Sequence, residues 1–152
     1  MKELIKNFAL SNKVFALILK ENNLVDKKDK LLEVSSPLCI ASTFNLRGFS
    51  TYVSIEPDHK FYNNFLLNDG KKTNFIYSGE ICEEVRSVVR KIANTSSFNI
   101  GICSNNPTEF ALQKDSYSRF KSELESSYGI EIEEIDKRLD DYEAYVLSYK
   151  RK

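Results

Sequence analysis

Between Thr73 and Ile135 the spacing of apolar residues changes period four times, and this restricts the fold more than any other feature of the chain. Thr73 to Tyr77 reads as a short strand. Ile81, Val85, Val88, Val89 and Ile92 then recur at offsets that stack on one side of a helix. Phe98 to Cys103 is a second apolar strand, and Asn106-Pro107-Thr108-Glu109 has the chemistry of a helix start, with Asn as N-cap, Pro at the first helical position and Glu in a capping box. That helix carries Phe110, Tyr117, Phe120, Leu124 and Tyr128 and stops at Gly129. Ile130 and Ile132 next alternate with Glu131 and Glu133, as in a half-exposed strand. Strands and helices in this order close through right-handed crossovers, so residues 73–135 are expected to form a βαβαβ-like unit.

The flanks are less constrained. Leu4, Ile5, Phe8, Phe15, Ile18 and Leu19 fall on one side of a helix over Lys2 to Glu21. Asp26 to Asp29 is a charged connector, followed by Leu31 and Leu32 leading into Val34. Residues 38–55 suggest a hairpin with its turn at Asn45-Leu46-Arg47-Gly48, and residues 61–67 a short helix. Beyond Asp140, the tyrosines at 142, 145 and 149 suit a helix, whereas Glu143 to Leu147 suits an edge strand; we favour the strand. The expected fold is a single α/β (or α+β) domain over residues 1–152. Its mixed sheet carries an N-terminal helix and hairpin followed by the βαβαβ-like unit.

A chain of 152 residues can bury a core without a metal or disulfide staple. Its longest apolar run, Val14 to Leu19, is far shorter than the roughly 20 residues needed to cross a bilayer. No secretory leader is legible. Cys39, Cys82 and Cys103 are too widely spaced for a zinc knuckle or a redox pair and read as free thiols, which points to a cytoplasmic protein.

One histidine, His59, excludes chemistry that needs two imidazoles, and no cofactor or metal site is expected. If the two strands at 73–77 and 98–103 are parallel neighbours, Ser78-Gly79 and Asn105-Asn106 share one sheet edge, where helix amino termini could hold an anionic ligand. Pro57-Asp58 followed by Asp69-Gly70-Lys71 resembles the letter pattern of restriction-endonuclease-like nucleases. That resemblance implies a metal held by Asp58 and Asp69, with Lys71 assisting attack by water. In such nucleases the second acid and the lysine lie on a strand, whereas Asp69-Gly70-Lys71 reads as a turn.

The strongest functional signal is charge layout. The chain has 22 basic and 22 acidic residues, yet between Glu123 and Glu143 nine carboxylates face only Lys137 and Arg138. Such asymmetry can steer a charged partner. Glu131, Glu133, Glu134, Asp136, Asp140, Asp141 and Tyr142 are therefore the expected docking residues for a basic protein. The expected function is a non-enzymatic binding or inhibitory protein of the immunity or anti-defence type, with a nuclease or nucleic-acid-binding protein as its target. Balanced total charge disfavours direct binding of nucleic acid.

Overall fold

The computed structural model of the chain describes residues 11, 14–25, 29–34, 51–55, 71–75 and 83–151. Within them lies a six-stranded sheet in the order β2-β1-β3-β4-β6-β5. The strands are β1 (Lys30–Val34), β2 (Thr51–Ile55), β3 (Thr73–Phe75), β4 (Phe98–Ser104), β5 (Glu133–Leu139) and β6 (Tyr142–Tyr149). The described helices are α1 (residues 14–21), α2 (Glu83–Ala93) and α3 (Pro107–Tyr128).

β2, β1, β3 and β4 run parallel, and β6 pairs antiparallel with both β4 and β5. The sheet is thus mixed, as the sequence leads us to expect. β4 is buried along its whole length, and as expected for a strand covered on both faces it reads as a nearly continuous apolar run. Phe98, Ile100, Ile102, Tyr145 and Leu147 face α2 and α3, packing with Val89, Ile92, Tyr117, Phe120 and Leu124. On the opposite face, Cys103, Ala144 and Val146 pack with Phe15, Ala16, Ile18 and Leu19 of α1. Three layers result, with helices on both sides of one sheet.

A buried polar chain ties the α1 face together. Asn99 Nδ2 donates to Asn74 Oδ1 and to the Leu24 carbonyl, each at 2.8 Å, and Asn74 Nδ2 donates to Asp29 at 3.3 Å. Lys72 Nζ donates to the same Leu24 carbonyl at 3.0 Å. Burial lowers the pKa of Lys72, while the nearby Asp29 opposes that shift.

Two sequence expectations change, and others fall on residues outside the described set. Residues 30–34, which follow the charged connector and for which the sequence predicts no element of their own, are a strand between β2 and β3. The second arm of the expected hairpin exists as β2, but its described partner is β1 in parallel register; residues 38–50 lie outside the described set, as does the helix expected at 61–67. The strand over 142–149 is interior rather than an edge. It separates β4 from β5, so the third strand of the βαβαβ-like unit keeps its direction without touching β4.

Candidate binding site

The carboxylates near the end of the chain are distributed by one hairpin. Asp140 takes a left-handed φ of 55°, a conformation that Asp tolerates, and reverses the chain between β5 and β6. Residues directly opposite in an antiparallel pair share a face. Opposite Leu147, Tyr145 and Glu143 are Glu134, Asp136 and Arg138, on the α3 side; opposite Ser148 and Ala144 are Glu133 and Lys137, on the α1 side. Asp140 and Asp141 sit at the turn, while Glu131 and Glu133 lie at the other end of β5, roughly 20 Å away along a seven-residue strand. The acids therefore occupy two faces and two ends.

Several are also satisfied within the molecule. Tyr145 Oη donates to Glu134 at 2.5 Å; burial first, then this carboxylate, raises the tyrosine pKa. Lys114 Nζ bridges Asp136 at 3.0 Å and lies over the Tyr145 ring, 5.1 Å from its centroid. Arg138 reaches Glu143 at 3.5 Å. Glu123 is clamped by Arg86 at 2.6 Å and Arg90 at 2.5 Å, joining α3 to α2. Tyr142 is half-buried against the α1-side core, and burial raises its pKa. Among the described residues, Glu131, Glu133, Asp140 and Asp141 remain exposed and form no ion pair.

Glu131 and Glu133 line a hollow of about 770 Å³, and local chemistry explains how it forms. α3 ends at Gly129, whose φ of 61° suits glycine, and its N–H donates to the Glu125 carbonyl at 3.0 Å. The Glu125 carboxylate accepts from Lys121 at 2.8 Å and from the Ile132 amide at 3.2 Å, pinning the segment after the helix against its last turn. Ile132 is buried and Ile130 packs on the core, which leaves Glu131 and Glu133 pointing outward. Across the hollow, Tyr149 leans on Phe98, with ring centroids 5.5 Å apart. Tyr128, Lys150 and Arg151 complete the rim. The backbone N–H of Arg151 donates to Ser97 Oγ at 2.8 Å, and its guanidinium donates to the Asn94 carbonyl just beyond the end of α2. The carboxyl ends of α2 and α3 both border this space, each adding partial negative charge.

The other candidates fare differently. β3 and β4 are parallel neighbours, so Asn105 and Asn106 do follow the carboxyl end of β4. However, Asn106 Oδ1 already accepts from Thr108 N and Glu109 N at 3.0 Å, its carbonyl accepts from Phe110 N at 2.9 Å, and Pro107 has no N–H. The first turn of α3 is capped by its own residue. Glu109 does not complete a capping box; its carboxylate accepts from Gln113 at 3.2 Å. Ser78, Gly79, Asp58 and Asp69 lie outside the described residues, and Lys71 is exposed just before β3. Among the described residues no group of three or more His, Cys, Asp or Glu side chains could hold a metal ion. Cys103 is buried, which pushes its thiol pKa up to about 12 and removes it as a nucleophile at neutral pH. Sequence reasoning did not single out Tyr149, Lys150 or Arg151; the available signal was a basic pair directly after a strand, opposite in sign to Glu131 and Glu133.

Among the described residues no helix is long and apolar enough to cross a membrane. No protein-family model matches the chain, and no curated protein matches it in sequence. A solved structure does share its fold. The crystal structure of EvdMO1 superposes with a TM-score of 0.50 at 13% identity over 92% of this chain. The match covers 41% of EvdMO1, so the chain spans less than half of that protein. A release-factor-specific protein-(glutamine-N5) methyltransferase from Alicyclobacillus acidocaldarius matches over 92% of this chain and 93% of its own, at 10% identity and a TM-score of 0.43. At these identities the likeness to EvdMO1 establishes the α/β fold and nothing of the chemistry.

Proposed function

We propose that the protein is a non-enzymatic binding protein that docks a basic protein partner at the hollow bordered by Tyr128, Glu131, Glu133 and Tyr149. The observation that supports this reading is the convergence of two carboxylates free of ion pairs, two tyrosine rings and the ends of two helices on one concavity. Carboxylates and helix carboxyl termini favour cationic groups, and tyrosine rings add apolar area and attraction for a cation held over their faces. A volume of about 770 Å³ suits a few inserted side chains, with the rest of the partner covering the rim. Glu134, Asp136 and Glu143 contribute less because cations or hydroxyls of the same chain already engage them. An inhibitory role of the immunity or anti-defence type follows if the partner's basic surface is its working site.

Titration of the full chain with a mixed lysine–arginine peptide at low salt tests this reading. Replacing Glu131 and Glu133 together by Lys should weaken binding at least tenfold, while the same change at Asp140 and Asp141 should leave it within about twofold. Equal losses from both pairs, or none from either, would remove the hollow from consideration.

A second reading rests on the sheet order. β1 lies between β2 and β3, so the connections on its two sides run in opposite senses, and open α/β sheets bind small ligands at the carboxyl ends of strands flanking such a reversal. That would make the protein an enzyme or ligand-binding domain; metal-stimulated hydrolysis of nucleic acid, abolished by Asp58→Ala, would favour it over docking.

A further inference from the structure

The lining of the hollow is formally neutral, because Lys150 and Arg151 stand beside Glu131 and Glu133. This neutrality sharpens the choice of partner. Arg151 is anchored through its backbone to Ser97, and its guanidinium supplies a donor to the Asn94 carbonyl, one of the acceptors left over where α2 ends. Arg151 and Asn94 are both exposed, so the contact is open to solvent and can be exchanged for another of the same chemistry. A guanidinium meets such a rim better than an ammonium, since its planar fork can satisfy a carbonyl and a carboxylate together while stacking on a tyrosine ring.

From this juxtaposition we infer that the hollow recognises arginine, and that Arg151 is its internal occupant, which an arginine of the partner displaces. The inference rests on the docking reading above and adds the identity of the recognised side chain and a built-in competitor. An incoming arginine segment takes over the Asn94 carbonyl and brings its remaining donors to Glu131 and Glu133, while Arg151 swings into water. Apparent affinity is then reduced by the fraction of molecules in which Arg151 holds the site.

Calorimetric titration of the full chain with oligo-arginine and oligo-lysine peptides of equal length tests this. The wild type should prefer the arginine peptide, and Arg151→Ala should bind it about fivefold more tightly, the factor expected for releasing one displaceable hydrogen bond. Circular dichroism should stay that of the wild type. Should Arg151→Ala fold poorly, the wild-type protein supplies the reading: on addition of arginine peptide the Arg151 Nε–H resonance should shift and exchange faster with solvent. Equal binding of both peptides with no gain in the variant, or an unmoved Arg151 resonance at saturation, overturns the inference while leaving a basic-partner site standing. Failure of both proteins to bind either peptide overturns the inference and the docking reading together.

Discussion

Gly101 lies in the middle of β4 opposite Val146, and a Cβ placed there would overlap the Tyr145 carbonyl and come within 2.9 Å of Val146 Cα. The obstruction is backbone on both counts, so no rotamer change relieves it. The two strands approach this closely only because position 101 has no side chain. Gly101→Ala is expected to destabilise the fold by about 1–3 kcal/mol or more, as overpacking does in well-filled cores, and a lowered urea midpoint would register it. An unchanged midpoint would mean that β4 and β6 are farther apart than described. The same row shows why a residue's role can hide in sequence: Asn99 and Asn74 look like interruptions in apolar strands, yet they form the buried chain that holds Leu24 and Asp29 on the sheet.

At the scale of elements, α3 was legible because its limits are written in local chemistry. Asn106 supplies the cap, Pro107 begins the helix, and Gly129 ends it in the left-handed conformation. Asn106→Ala should cost about 1 kcal/mol of stability, measurable by thermal melting, because two amides lose their acceptor. A loss below a few tenths would assign the cap to the Ser104 hydroxyl, which now accepts from the Asn106 amide. Elements that depend on distant partners were harder to read. β1 is five residues long, and its strand character comes from β2 and β3 on either side, neither adjacent in sequence. Of the hairpin expected over 38–55, only the returning strand lies among the described residues, as β2. The tyrosines of β6 fit two periods at once, and only its position between β4 and β5 decides between them.

For the whole molecule, sequence reading located an acidic excess but not its geometry, because strand alternation and the hairpin turn divide one run of carboxylates over two faces. Glu131 and Glu133 could be recognised as outward-facing from their alternation with isoleucines. Their convergence with Tyr149 and Arg151 needed the sheet. Charge also sets acid stability. Hydrogen bonding to Arg90 foremost, with Arg86 adding attraction, holds the Glu123 carboxyl below the usual carboxylate range; hydrogen bonding to Lys121 does the same for Glu125. A depressed folded pKa means that the unfolded chain binds protons first. The stabilisation is therefore fully present above the ordinary carboxylate range and disappears as pH falls through the lower folded values. Both groups are partly exposed and screened, so Glu123→Gln should cost only about 0.5–1 kcal/mol at neutral pH and should flatten the acid limb of a melting-temperature profile. A variant whose acid limb matches the wild type would show that other carboxylates control it.

The placement of β6 has a consequence for how the chain is made. A ribosome delivers β4 and β5 before the strand that lies between them, so one side of β4 and the facing side of β5 keep open hydrogen-bonding groups until Tyr149 has emerged. Docking of this single late segment completes the layer on which both apolar cores rest, and before it arrives β5 has no neighbour to hold it.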